Sequence, residues 1–107
     1  MITINIRYTG KSGKAVQFAK EMEASGTADA IRAEKGNLRY EYYIPMDDSE
    51  TVLLIDSWES QKAIDEHHAS PMMEVIAALR DKYDLHMTIE RFASIENEPG
   101  DDRYIRK

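Results

Sequence analysis

The run from Val52 to Ile55 is apolar at all four positions. Successive side chains of a strand point to opposite faces, so a strand built from this run carries apolar groups on both sides. Such a strand is typical of a sheet that is covered on each face. The chain has 107 residues, which is enough for one domain. Whatever this chain folds into must therefore cover both faces of its central strand.

Hydrophobic periodicity predicts the other elements around this strand. Four segments have the alternating or continuous apolar pattern of strands, and they span residues 2–8, 37–45, 51–58 and 85–95. Helical spacing is found at 14–35, with a break near Gly26, and at 59–83, with a break at Ser70-Pro71. Ser70 is predicted to be the N-cap of the last helix, with Pro71 in its first turn. Residues 1–96 are expected to form the domain, and residues 97–107 a tail that is mobile unless a partner orders it.

The predicted order β-α-β-β-α-β is that of a ferredoxin-like α+β fold, with a four-stranded antiparallel sheet and helices on one face. One chain then covers only one side of the apolar strand at 51–58. The segment at 37–45 adds tyrosines to both faces of the sheet. An uncovered apolar sheet face is typical of an interface. We therefore predict a homodimer that pairs sheet against sheet about a two-fold axis.

Composition argues against several other classes of protein. A formal net charge of -6 disfavours nucleic acid as a partner, because phosphate binding needs a basic face. The absence of cysteine excludes disulfides and thiolate chemistry, and three scattered histidines predict no metal site. The first residues lack a signal-peptide pattern, and no apolar run approaches the ~20 residues of a membrane span. We expect a cytoplasmic protein with no membrane association.

Three stretches of the chain carry a resemblance to a known family. They are Glu-Lys-Gly-Asn-Leu-Arg-Tyr-Glu at 34–41, Leu-Leu-Ile-Asp-Ser-Trp-Glu-Ser at 53–60, and Ala63, His67 and Ser70-Pro71. Together they resemble the antibiotic biosynthesis monooxygenase domain, over residues 2–95. The resemblance implies a dimeric α+β barrel with a ligand cavity between sheet and helices. It also implies oxygenation of a small aromatic quinol or polyketide phenol by dioxygen, without a cofactor, once the substrate is deprotonated.

Departures from the family pattern keep other functions open. Met72 stands where the family often has a second histidine, which weakens a two-histidine mechanism and favours a non-catalytic ligand-binding dimer. Haem degradation is disfavoured, because His67 and Ala77 lie at the positions that would need tryptophan and histidine. Isomerases of phosphorylated hydroxy-ketones, of the type that processes autoinducer-2, look similar and keep a comparable Glu-Gly-Asn-Leu-Arg stretch. Such an activity would require Arg7 or Arg39 in the cavity.

His67 is the predicted catalytic residue, because a neutral imidazole can accept a phenolic proton near neutral pH. A histidine on the helix surface or at its cap is the alternative. Trp58 could stack against a flat ligand or fill the core at the strand end. The residues predicted to bind substrate are Asn5, Tyr40, Trp58, Met72 and His86.

Four polar residues on the first and last strands form a separate candidate cluster. Asn5, Arg7, His86 and Glu90 are predicted to lie on the sheet face opposite the isoleucines. Buried polar groups need hydrogen-bond partners or a ligand. Their pattern predicts an Arg7–Glu90 ion pair in the dimer interface. The alternative is a polar cavity wall in which Asn5 or His86 orients a substrate oxygen.

Overall fold

The computed structural model describes all 107 residues and has the predicted order of strands and helices. The strands are β1 (Ile2–Thr9), β2 (Asn37–Tyr43), β3 (Thr51–Trp58) and β4 (His86–Ala93). The helices are α1 (Lys14–Ala24), α2 (Thr27–Arg32), α3 (Gln61–His68) and α4 (Met72–Lys82). Short 3-10 turns occur at Lys11–Gly13 and Asp101–Tyr104. The second of these turns lies in the segment that was predicted as a tail.

The four strands form one antiparallel sheet in the order β2-β3-β1-β4. This arrangement confirms the predicted ferredoxin-like α+β fold. β1 pairs with β3 from Ile2 opposite Trp58 to Thr9 opposite Thr51. In β2 a register shift near Leu38 leaves that residue without a partner opposite it, and its side chain is exposed. In β3, the chain from Val52 to Trp58 rises by roughly 3.3 Å per residue, so the two ends of this strand are about 20 Å apart.

The core lies between the helices and one face of the sheet. From the strands it receives Tyr8, Val52, Leu54 and Trp58, all of which are at most 1% exposed. The helices contribute four further large side chains that are almost fully buried, namely Phe18, Met22, Ile31 and Ile64. Complete burial of one such aliphatic or phenyl side chain contributes about 1.5–3 kcal/mol to folding. The apolar stripes of the helices are therefore aimed at this face of the sheet.

The opposite face of the sheet has no layer of helices. Leu53 and Ile55 of β3 point to it and are half-buried, while Phe92 of β4 is 49% exposed and Tyr43 of β2 is 44% exposed. β3 is thus apolar on both faces, as its sequence predicted. Asn5 lies directly opposite Ile55 on this outer face.

Two local predictions were wrong. The structure has no ion pair between Arg7 and Glu90, because the register of β1 and β4 places Glu90 opposite Asn5 and Arg7 opposite Thr88. Ser70 does not cap α4 with its hydroxyl. Its carbonyl accepts from the Met73 N–H at 3.3 Å, while its Oγ is buried without a partner.

None of the helices combines the length and the apolar composition that a crossing of the bilayer requires.

Candidate functional site

The Trp58 end of β3 is where the chain turns from the sheet into α3. Ser60 adopts an extended conformation, and its Oγ accepts a hydrogen bond from the Ala63 N–H at 3.2 Å, which fixes the start of α3. Two turns later His67 lies on the inner side of the helix, and its ring stacks on Trp58. The ring centroids are 4.7 Å apart and the planes differ by 28°. The short helix α3 thus brings a histidine back beside the corner that follows β3.

Gly36 docks the turn before β2 against the same helix. Its φ of 87° is in the left-handed region, and a Cβ at this position would lie 2.6 Å from the Cβ of Ala63. The Gly36 carbonyl accepts from the Glu59 N–H at 2.8 Å. Only glycine allows so close an approach without strain. The turn therefore holds the preceding residues, including Glu34, beside α3.

Glu34 and His67 are joined by a short hydrogen bond at this corner. Glu34 Oε2 lies 2.6 Å from His67 Nδ1, and the histidine side chain is only 5% exposed. A carboxylate can only accept a hydrogen bond, so Nδ1–H is the donor and Nε2 keeps its lone pair. The side chain of Glu34 fixes the tautomer in which Nε2 can accept a proton.

Burial lowers the pKa of His67, and the Glu34 carboxylate opposes that decrease. His68 and Arg80 are nearby cations or potential cations that lower the pKa further. The effect of burial is the larger of the two, because the free energy lost when an imidazolium leaves water exceeds the free energy of its attraction to one partly exposed carboxylate. His67 is therefore neutral near pH 7. A neutral imidazole with a fixed tautomer can take a proton from an acidic substrate group.

A cavity of about 230 Å³ opens beside this pair. Its lining is mostly polar and consists of Glu34, Lys35, Ala63, Glu66, His67 and Ser70. Ser70 Oγ is buried and has no hydrogen-bond partner. A hydroxyl in this position can donate to or accept from a ligand oxygen.

Asp56 is a buried acid on the helix side of β3, two residues before Trp58. It is 6% exposed, and burial raises its pKa to about 7. The nearby indole of Trp58 acts in the opposite direction, although neither Asp56 Oδ1 nor Trp58 Nε1 has a partner with hydrogen-bond geometry. Two polar atoms are thus left unsatisfied in the core next to His67. Sequence periodicity does not single out this acid, which directly follows the apolar run at 52–55.

Tyrosine hydroxyls line the interior between the two ends of the sheet. Tyr40 and Tyr42 share one hydrogen bond of 3.1 Å. The Tyr8 hydroxyl accepts from Arg80 Nη2 at 2.8 Å, and burial raises the pKa of Tyr8 even beside that cation. Burial also raises the pKa of Tyr40 and of Tyr42. These phenols are therefore neutral donors at physiological pH.

The predicted binding residues are not all gathered at His67. Trp58 contacts it, but the indole is 1% exposed and fills the core. Tyr40 is 2% exposed, and Met72 packs half-buried at the start of α4. Asn5 points to the outer face of the sheet, where its Oδ1 is buried without a partner. His86 is exposed and lies opposite Thr9 at the other end of the sheet.

The cavity that contains His86 is polar and separate from the one at His67. It measures about 350 Å³ and is lined by Thr9, Gly10, Lys11, Lys14, Glu50, Asp84 and His86. An isomerase would require Arg7 or Arg39 in its cavity. Arg39 lines a separate cavity of about 360 Å³ together with Arg32 and is paired with Glu41 at 3.1 Å, whereas Arg7 lines none of the cavities. No three histidine or acidic side chains converge as metal ligands would.

The sequence matches the model of the family described as antibiotic biosynthesis monooxygenase over residues 1–79. No curated protein matches significantly.

Solved structures share the fold at low sequence identity. A proposed antibiotic biosynthesis monooxygenase of Deinococcus radiodurans superposes with a TM-score of 0.78 at 17% identity, covering 92% of this chain and 96% of the other. SnoaB, a cofactor-independent oxygenase of Streptomyces nogalater, superposes with a TM-score of 0.75 at 17% identity, again covering 92% of this chain and 96% of the other. PA3566 of Pseudomonas aeruginosa gives 0.75 at 21% identity, covering 89% and 94% of the two chains.

Proposed function

The chain belongs to the antibiotic biosynthesis monooxygenase family, and from this premise we propose that it is a cofactor-independent monooxygenase of a small aromatic quinol. Dioxygen is the second substrate. The observation that carries the proposal is the 2.6 Å contact between Glu34 Oε2 and His67 Nδ1. It leaves one nitrogen of a buried, neutral imidazole free to accept a phenolic proton. The resulting electron-rich anion then reduces dioxygen and binds it as a hydroperoxide, and loss of water from this hydroperoxide leaves one oxygen atom on the oxidised product.

The surroundings of His67 support this role. Glu34 stabilises the imidazolium that forms when the proton is taken, because a carboxylate close to a cation favours its charged form. Trp58 stacks on the ring and holds it in place. Ser70 Oγ, which lacks a partner, offers a hydrogen bond to a substrate oxygen.

The size of the cavity favours a small substrate. Pockets for drug-sized ligands measure roughly 300–1,000 Å³, whereas the space beside His67 is about 230 Å³. A quinol with one or two rings is the class of substrate that this volume suits. Large polycyclic substrates would require side chains at the corner to move.

We also propose that two copies pair through the outer face of the sheet. Leu53 and Ile55 are half-buried there, with Phe92 and Tyr43 at its margins. The buried Asn5 Oδ1 has no partner within the chain. A second sheet would bury the apolar groups and could supply that hydrogen bond. Sedimentation at micromolar concentration should give a dimer, and a folded monomer of 12.3 kDa would contradict this part of the proposal.

Oxygen uptake with a panel of quinols and naphthohydroquinones tests the reaction. Uptake above the uncatalysed rate is expected for at least one member, and His67→Gln should lower it by about 10²–10⁴-fold, the usual contribution of a general base. Because only the neutral imidazole accepts a proton, the rate should fall as the pH is lowered through the pKa of His67.

His68→Gln is the matched control, because His68 is the exposed neighbour on the same helix. It should retain the wild-type rate. Equal rates for wild type and His67→Gln would show that another group is the base, and no uptake with any quinol would contradict the proposed reaction.

A further inference from the structure

A second cavity lies far from His67, at the Val52 end of β3. It measures about 550 Å³ and runs between α1 and the end of β2. Its lining residues are Val16, Ala19, Lys20, Glu23, Ala24, Tyr42, Ile44 and Val52. Six of these eight are hydrophobic, whereas the other four cavities have at most two such residues each. We call this cavity the α1 groove.

The α1 groove has the size and surface of a small-molecule site. Its volume falls within the roughly 300–1,000 Å³ of typical ligand pockets, which are lined mainly by apolar and aromatic groups. The ring of Tyr42 lies in the wall and is held edge-on to Phe18, with centroids 6.1 Å apart. A ring fixed in this way can stack with or pack edge-on to an aromatic ligand.

The charged side chains at the groove determine which ligand charge it favours. Glu23 is engaged away from the groove, because its Oε2 lies 2.6 Å from Arg32 Nη2 and its Oε1 2.7 Å from Arg32 Nη1, and the same guanidinium also contacts Asp29 at 2.9 Å. Lys20 lines the same groove and has no ion-pair partner. The groove thus combines an apolar wall with one free cation. An apolar molecule with one anionic group complements both.

The hydroxyl of Tyr42 is engaged with a second phenol in the core. It shares its only hydrogen bond with Tyr40, and neither hydroxyl has a second partner. Two hydroxyls joined by one bond use one of their two hydrogens, so one O–H donor is left without an acceptor. Because Tyr40 is only 2% exposed and does not line the groove, the groove offers a ligand the ring of Tyr42 and not this hydroxyl pair.

We propose that the α1 groove binds an aromatic carboxylate, with its rings against Tyr42 and Val16 and its carboxylate at Lys20. This inference goes beyond the proposed oxygenation, because the site lies about 20 Å along β3 from Trp58 and requires neither His67 nor dioxygen. The groove could thus accept the acid form of a substrate, a product or an effector.

Calorimetric titration with 2-naphthoate, with naphthalene-2-carboxamide as the uncharged control, tests the site. The naphthoate should bind more tightly than the carboxamide by about two- to five-fold, which is the range expected for one solvent-exposed ion pair. Lys20→Gln should abolish this preference. The control Lys62→Gln, on α3 outside the groove, should retain it.

Two further variants test the groove itself. Ile44→Asp places a carboxylate in the lining at a residue that is 54% exposed, so the fold should tolerate it while naphthoate affinity falls. Ile44→Lys should raise naphthoate affinity instead. His67→Gln should leave the affinity unchanged, which separates this site from the proposed oxygenation.

Several results would overturn the proposal. They are undetectable binding of naphthoate at millimolar concentration, equal affinity for acid and amide, or affinities that do not respond to Lys20→Gln and Ile44→Asp. Dissociation of a dimer on addition of naphthoate would assign the groove to a second copy of the chain.

Discussion

The two ends of β3 bury different kinds of groups in the same layer of the molecule. At one end Val52 packs with Tyr8 and Phe18, and the rings of these two aromatic residues are 4.9 Å apart. At the other end Trp58 is surrounded by groups that titrate, namely Asp56, His67 and Glu34. The Val52 end is thus stabilised mainly by apolar burial.

The Trp58 end retains charges and orphaned polar atoms that an optimised core would lack. Perturbed titratable groups of this kind are typical of functional sites, although ion pairs that only stabilise a fold can show them too. The candidate base at His67 and the apolar α1 groove therefore lie in separate regions of this chain. We therefore expect that each end can be altered without changing the other.

Removal of one large aromatic side chain at each end has the largest expected effect. Trp58→Ala and Phe18→Ala should each lower the free energy of unfolding by about 3–5 kcal/mol, because both rings are buried and leave cavities. Only Trp58→Ala should move the pKa of His67 upward, since it exposes the imidazole. Chemical denaturation and NMR titration measure the two effects. A similar change in the pKa of His67 in both variants would show that the ends are coupled.

Asp56→Asn should stabilise the protein at alkaline pH. The folded-state pKa of about 7 lies above the unfolded value of 3.8, so the folded state binds the proton more tightly. The stability that this group contributes is present below pH 3.8 and is lost as the pH rises through 7. At pH 8 the variant should therefore gain on the order of a few kcal/mol, at about 1.4 kcal/mol per pKa unit.

Urea denaturation at pH 8 and at pH 3.5 checks this expectation. The gain should be large at the first pH and small at the second. A variant that is destabilised at both would mean that the Asp56 carboxylate has a partner that satisfies it in the folded protein.

Glu34→Gln should change the stability less than the substitutions above, and it should also change the pKa of the His67 imidazole. Loss of the charged acceptor should cost about 1–2 kcal/mol near neutral pH, and the pKa of His67 should fall further because the carboxylate that opposes burial is gone. The rate of oxygen uptake should fall as well. Asp65→Asn, at an exposed acid on α3 outside the cavity lining, serves as the control and should retain the wild-type rate. A rise in the pKa of His67 would contradict the assigned contact.

The protonation of His67 should also contribute to the pH dependence of the wild-type stability. Its folded-state pKa is lower than the unfolded value of 6.5, so the unfolded chain binds the proton more readily. Stability should therefore decrease as the pH falls below about 6.5. His67→Gln should remove that part of the pH dependence. Denaturation curves between pH 7 and pH 5 compare the two proteins.

The sequence could predict the fold because its patterns are local. Alternation in 2–8 and the doubly apolar run at 52–55 mark the strands, and Gly36 marks the end of a helical region. The return of His67 to Trp58 also follows from a short corner and one two-turn helix. These features depend on residues that are near one another in the chain.

Other features of the site depend on contacts between distant segments. Glu34 and His67 are 33 positions apart, and their pairing requires the close packing of Gly36 on Ala63. The expected Arg7–Glu90 ion pair does not form, because a shift of two residues in the register of neighbouring strands decides which side chains meet. Periodicity does not specify that register.

The pKa and tautomer of His67 test the central claim most directly. NMR titration of its imidazole carbons and nitrogens should give a pKa below 6.5, with the neutral ring protonated on Nδ1. A pKa above 6.5, or a neutral ring protonated on Nε2, would contradict a buried base whose free nitrogen is held ready by Glu34.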